Sequence, residues 1–291
     1  KGVGLILWYN SAGDWNDTEY TPRNRMLTHA SRVEEFARLR EMGIKGVKID
    51  FFGGDSAPMI RYYTEILKDA ADAGILVNFH GSTLPRGWQR TYPNLMTMEA
   101  IRGFEFATFE QANQDQVARH AAMAPFARNL FDPMDFTPLV LGDIPNIERR
   151  TRNGFELAQS VLFLSGIQHF AETPEGMASA PEFVRAFLRE LPRSWDDSRF
   201  LTGYPGSHVA VARRAGRRWY VAGLNADDAP RIFELDLRFV GTARGVMIGD
   251  GEGMRELTRS ELAAGKVRVA VKAKGGFVLT FAPGASVRPP S

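Results

Sequence analysis

The chain has 291 residues, 44% hydrophobic and 24% charged, with a formal net charge of +2 and no cysteine. It is long enough for one large or two ordinary domains, while the missing thiols exclude disulfides, thiolate nucleophiles and zinc–thiolate sites. No apolar run reaches the roughly eighteen residues that a membrane-crossing helix needs, and Lys and Arg are dispersed apart from Arg213-Arg214-Ala-Gly-Arg217-Arg218, a knot that fits a hairpin tip better than a nucleic-acid groove.

Lys1-Gly-Val-Gly lacks the charged and apolar regions of a signal peptide, and residues 3–9 predict an opening strand, so the chain is expected to begin in mid-domain. Ser31 with Glu34 has capping-box spacing and predicts a helix whose apolar stripe is Val33, Phe36, Ala37 and Leu39, stopped by Gly43. Residues 44–52 predict a strand. Pro58 opens a second helix on Met59, Ile60, Tyr63, Ile66, Leu67, Ala70 and Ala71, Gly74 stops it, and residues 75–79 form a third strand. Helix, glycine, isoleucine and buried strand thus repeat, as a parallel βα architecture requires. A doubly wound sheet would also fit, but charged groups recur at every strand end rather than at one switch point, which favours a (β/α)8-type TIM barrel.

Further on, periodicity predicts helices over residues 114–124, 151–164 and 181–191, and a late barrel strand over 167–172. Asp132 and Asp135 flank a proline turn, where capping is their expected role. After Pro192 apolar and polar residues alternate between short turns, the texture of an antiparallel domain, in which Gly249-Asp-Gly-Glu-Gly253 predicts a turn rather than a phosphate loop. The expected division is a catalytic barrel over 1–194 and an antiparallel β-sandwich over 195–291, with residues 283–291 as a frayed tail.

Asp50, between Lys48-Ile49 and Phe51-Phe52, is a carboxylate at a buried strand end, costly unless paired, hydrogen-bonded or metal-bound. An ion pair with Lys48 or an arginine is the bland explanation. Glu99 at a strand end and Glu105 in the following turn could equally be solvated. Taken together, Asp50 and Glu105 are a candidate catalytic pair, because two carboxylates across a sugar ring hydrolyse a glycosidic bond, with retention at about 5–5.5 Å and inversion at about 6.5–9.5 Å. Trp8, Tyr9, Phe51, Phe52, Phe79, Trp88 and Tyr92 gather at the same strand ends; flat rings suit pyranose faces, although core packing is the commoner role of any one. His80, at a strand tip beside Gly81, is open to a structural or a functional role.

These stretches resemble glycoside hydrolase family 97, exo-acting bacterial α-glucosidases and α-galactosidases. The matching pieces are Leu7-Trp-Tyr-Asn10, Val47-Lys-Ile-Asp-Phe-Phe-Gly-Gly54, Val77-Asn-Phe-His-Gly81 with Pro85-Arg-Gly, Arg90-Thr-Tyr-Pro-Asn94, Glu99-Ala-Ile-Arg-Gly103 with Glu105, and Pro133-Met-Asp-Phe-Thr-Pro138. The inverting branch has glycine at the place of Asp50 and glutamates at the places of Asn10 and Gly81, so this chain is similar to the retaining branch. The resemblance implies Asp50 as nucleophile, Glu105 as acid/base, calcium held by Glu99 with Glu105, and Trp8, Asn10, Lys48 and His80 along the sugar subsite; oxygen ligands suit that hard cation.

It implies an α-linked oligosaccharide as substrate, α-galactosidase activity with α-glucosidase as the alternative, and a periplasmic or secreted location. Family members also carry an N-terminal β-sandwich, which supplies a further calcium ligand, and a first barrel strand. Neither is visible here, so the barrel is expected to be incomplete and a truncated, non-catalytic carbohydrate-binding fragment is the rival from another class. A barrel amidohydrolase is poorly served by five scattered histidines. The oligomeric state is open.

Overall fold

The computed structural model describes residues 2–241 and 244–282. Two compact units form: Lys1–Arg102 with the returning segments Phe131–Phe136 and Ser165–Ile167, and the remainder, Gly103–Leu130, Thr137–Leu164 and Gln168–Ser291.

The first unit runs β1 (Ile6–Asn10), α1 (His29–Glu41), β2 (Gly46–Asp50), α2 (Ala57–Asp72), β3 (Leu76–Phe79) and β4 (Leu95–Met98). The strands are parallel, in the order β1-β2-β3-β4. α1 starts three residues before the expected box: Thr28 is the N-cap and Ser31 its reciprocal partner, so Val33 turns to solvent and Arg32, Glu35, Phe36 and Leu39 are buried. Arg32 then locks α1 to α2 through Asp69, 2.6 Å away. The helices stop at Gly43 and Gly74 as expected.

Strand side chains alternate between two environments. Tyr9, Val47, Ile49, Val77, Phe79 and Met98 bury against Phe36, Leu39, Tyr63, Ile66 and Leu67 of the helices. The other face carries Trp8, Asn10, Lys48, Asp50, Asn78, His80, Thr97 and Glu99, brought level by the register Trp8↔Lys48, Asn10↔Asp50, Lys48↔Asn78 and Asn78↔Thr97. The apolar core packs one face of the sheet on the helices, and the polar row is what remains for chemistry.

A closed eight-stranded barrel is not formed among the described residues: the parallel sheet has four strands. Residues 131–136 return beside β4, where the Asp135 N–H donates to the Met98 carbonyl at 3.0 Å, without becoming a strand. The expected late strand over 167–172 is likewise absent. Pro133 and Pro138 remove ladder donors, and Thr137 and Leu139 adopt φ of 52° and 74°, which breaks the extended run that a ladder would need.

The second unit holds α3 (Phe104–Ala107), α4 (Gln111–Met123), α5 (Asn153–Leu162), α6 (Pro174–Ser179) and α7 (Glu182–Arg189), then β5 (Asp197–Tyr204), β6 (His208–Ala215), β7 (Arg218–Asn225), β8 (Arg231–Asp236), β9 (Arg244–Asp250), β10 (Leu257–Ala263), β11 (Lys266–Val271) and β12 (Gly276–Phe281). An antiparallel sheet of order β10-β9-β12-β7-β6-β5 packs Trp219, Val221, Phe277 and Leu279 against Phe233, Leu235, Val269 and Val271 of the β8–β11 pair. α5, buried on all sides, packs on β7 and β12. The arginine knot does sit at the β6–β7 hairpin, but Arg213 is buried and donates to the carbonyls of Val161 and Leu162. The expected frayed tail lies outside the described residues. No helix among those residues is long and apolar enough to cross a membrane.

Candidate active site

Each parallel strand ends in a sharp left-handed turn. Ala12 (φ 42°) follows β1, Phe51 (φ 68°) follows β2, Gly81 (φ 48°) follows β3 and Ala100 (φ 41°) follows β4. Such a conformation costs about 1–3 kcal/mol in a residue with a side chain and persists where the surroundings over-determine it, so three strained residues at neighbouring tips make this edge the candidate site.

At the β2 tip, Asp50 is half-buried. Its Oδ2 accepts from the Trp8 indole N–H (3.2 Å) and its Oδ1 from the Phe51 backbone N–H (2.8 Å). It makes no ion pair among the described residues, and Lys48 makes none either, so the ion-pair explanation does not hold. An ionised carboxylate has about four acceptor positions, and two donors leave Asp50 with capacity to spare. A Cβ at position 81 would stand 2.8 Å from Asp50 Oδ1 and 2.8 Å from the Phe51 nitrogen. Only glycine fits beside this carboxylate.

Trp8 meets Tyr20 and Phe51 edge-on at 6.4 and 5.8 Å, and Tyr20 stacks on Phe51 at 5.9 Å. Tyr20 is 67% exposed and was not singled out by sequence reasoning. Asn10 brings it here: Nδ2 donates to Thr18 Oγ1 and the Tyr20 carbonyl, while Oδ1 accepts from the Ala12 N–H and from Asn16, so its full hydrogen-bonding capacity holds the loop. The other aromatics belong to the core: Phe52, Phe79 and Trp88 surround Tyr63. Burial pushes the Tyr9, Tyr62 and Tyr63 hydroxyls well up, so they serve as neutral hydrogen-bonding groups; Tyr62 donates to the Ser11 carbonyl at 2.7 Å.

At the β3 and β4 tips, His80 lies between two carboxylates. Its Nε2 is 2.7 Å from Asp135 Oδ2 and its Nδ1 is 3.5 Å from Glu99 Oε1. Asp135 also accepts from Asn78 Nδ2 at 2.7 Å, and Glu99 Oε2 accepts from the Gly81 N–H at 2.8 Å. Asp135, expected as a turn cap, is buried at this tip instead; the signal that could have found it is a charged residue between the apolar Met134 and Phe136. Asp132 is buried and accepts from Gln89. Glu105 is exposed on the first turn of α3, in the second unit. Trp8, Lys48, Asp50, His80 and Glu99 therefore share one row in the first unit.

A hydrogen-bonded carboxylate without a counter-ion, an aromatic platform and a fixed imidazole suit a polar ligand with a flat apolar face, as sugars have. The family model for glycoside hydrolase 97 matches residues 1–101, and the model for the glycosyl-hydrolase 97 C-terminal, oligomerisation region matches residues 194–282. The chain belongs to glycoside hydrolase family 97. Among curated family relatives, a protein named probable retaining alpha-galactosidase from Streptomyces bingchenggensis is 38% identical over 280 residues, covering 95% of this chain and 40% of that protein. The retaining alpha-galactosidase of Bacteroides thetaiotaomicron is 30% identical over 297 residues, covering 96% of this chain and 42% of its own length. The chain thus spans about two fifths of the curated relatives it matches. A crystal structure of a beta-arabinopyranosidase superposes with a TM-score of 0.92 at 38% identity, covering 96% of this chain and 46% of that one. A family 97 enzyme from Pseudoalteromonas sp. strain K8, solved with panose, gives a TM-score of 0.83 at 25% identity, covering 96% and 47% of the two chains.

Proposed function

We propose that this chain carries the catalytic centre of a retaining exo-acting α-glycoside hydrolase, an α-galactosidase. The observation that carries the proposal is Asp50: an unpaired carboxylate at a strained strand tip, held by Trp8 and the Phe51 N–H, with glycine alone tolerated beside it. A nucleophile needs this combination of fixed orientation and spare lone pairs. Two relatives named retaining alpha-galactosidase or probable retaining alpha-galactosidase support the reaction class.

In the proposed mechanism Asp50 attacks the anomeric carbon, an ester bond forms, and the bond to the leaving oxygen breaks as Glu105 protonates that oxygen. Glu105 then takes a proton from water, whose oxygen displaces Asp50 and releases the sugar. Two inversions give net retention. Trp8, Lys48 and His80 would contact the sugar, with Asn10 acting through the loop that presents Tyr20. Glu99 and Glu105 would hold calcium; Glu99 sits buried beside His80, and carboxylate oxygens are the donors that a hard cation takes. Calcium would supply positive charge near the sugar hydroxyls.

A second substrate is favoured by the beta-arabinopyranosidase superposition. A β-L-arabinopyranoside has the ring configuration of an α-D-galactoside and lacks only its exocyclic hydroxymethyl group. The test is turnover by the full-length protein of aryl α-galactoside, β-L-arabinopyranoside and α-glucoside, with and without chelator and added calcium, following the first-formed anomer by NMR. The expected result is α-galactoside hydrolysis with retention, lost on chelation and restored by calcium. Inversion would remove Asp50 as nucleophile, and sugar binding without turnover would leave a carbohydrate-binding fragment.

A further inference from the structure

We propose that Asp135 is the positioning residue for His80, fixing its ring through Nε2 so that Nδ1 is presented as an acceptor at the β3 tip; the inference rests on the glycosidase reading above for what Nδ1 meets, a sugar hydroxyl. Asp135 and His80 are both about 2% exposed, and their 2.7 Å contact lies between segments 55 residues apart. Burying a carboxylate against a histidine is costly without a task, and here several groups are committed to it.

Asn78, two residues before His80 on the same strand face, donates its Nδ2 to the same Oδ2, while its own Oδ1 is buried without a partner. An amide oxygen left unsatisfied costs on the order of 1–3 kcal/mol, so the Asn78 rotamer is held by its bond to Asp135. The Asp135 N–H donates to the Met98 carbonyl, which anchors the segment beside β4. A carboxylate oxygen already accepting from an amide is poised to accept again, so Nε2 is the ring nitrogen that carries the proton and Nδ1 keeps its lone pair. Nδ1 then stands at the β3 tip, 3.5 Å from Glu99 Oε1, where a sugar hydroxyl can donate to it.

The test uses the full-length protein, labelled with 15N-histidine, and the variants Asp135→Ala and Asp135→Asn, the second close in shape and able to fold where the first does not. The His80 Nε2–H, assigned by its loss in His80→Ala, is expected to resist solvent exchange in the parent and to exchange much faster in Asp135→Ala, or in Asp135→Asn should the alanine variant not fold. kcat/KM on the best aryl glycoside is expected to fall about 10–100-fold in the position-135 variant, the range seen when an orienting partner of a functional histidine is removed, and the same change is expected to add no loss in a His80→Ala background. A rapidly exchanging Nε2–H in the parent, or equal losses with and without His80, would overturn the proposal. Because the exchange measurement needs no turnover, a parent inactive on every glycoside would sink the glycosidase reading and leave the Asp135–His80 linkage to be decided by exchange alone.

Discussion

Asp50 and Asp250 are both carboxylates without an ion-pair partner among the described residues, and each is held by two N–H groups. Asp250 accepts from Gly154 at 2.7 Å and Gly276 at 2.8 Å, tying α5 to β12, and burial pushes its carboxyl above the usual range. Both of its oxygens are taken by backbone, and neither Gly249 nor Gly251, its neighbours in the chain, is left-handed. Asp50 has one backbone donor, one indole donor, a strained Phe51 and an aromatic platform. An unpaired carboxylate is therefore not in itself a site; the conjunction with strain and an accessible ring is. Asp236, by contrast, is paired: Arg238 holds its carboxyl down at about 2.

Truncating each acid separates the two roles. Asp50→Ala should lower kcat by on the order of 10⁴-fold or more while melting near the parent temperature, because Asp50 is only half-buried and water can meet its two donors. Asp250→Ala should do the reverse, losing a few kcal/mol of stability as two N–H groups are orphaned, with the folded fraction still active. Equal effects on activity would erase the distinction. Gly81→Ala should give an intermediate outcome, because its Cβ would push on Asp50 Oδ1 and its φ of 48° penalises a side chain. A roughly tenfold or greater fall in kcat with about 1–3 kcal/mol of destabilisation is expected, measured by kinetics and urea unfolding together.

The smallest effect concerns pH. The Arg38 hydrogen bond, aided by the Tyr9 hydroxyl, holds the Glu35 carboxyl below its ordinary range, so its contribution is present above the unfolded value and lost as pH falls through the lowered one. Glu35→Gln should cost about 1–3 kcal/mol at pH 7, and the gap from the parent should close in acid. Asp250 runs the other way: with its folded value raised, its favourable contribution holds below the unfolded value and is lost as pH rises through the folded one.

Much of the site was legible because it is local. Val47-Lys48-Ile49-Asp50 and Val77-Asn78-Phe79-His80 alternate with period two, which places every second side chain on the polar face, and the glycines at 43 and 74 mark the helix ends. What escaped depends on distance in the chain. Asp135 reaches His80 through a backbone bond to Met98, and Tyr20 reaches Trp8 because Asn10 gathers the loop. β10 is exposed along most of its length and offers no apolar alternation to read. The barrel was over-extended because parallel βα repeats in the first hundred residues say nothing about whether the later prolines permit further strands.

Azide rescue reads out whether Asp50 attacks the sugar. With the Asp50→Ala protein, azide and the aryl α-glycoside that the parent turns over best, one displacement by the external nucleophile should restore aryl release and yield the β-glycosyl azide. An active Asp50→Ala protein without azide, or an azide product of retained configuration, would mean that Asp50 is not the nucleophile.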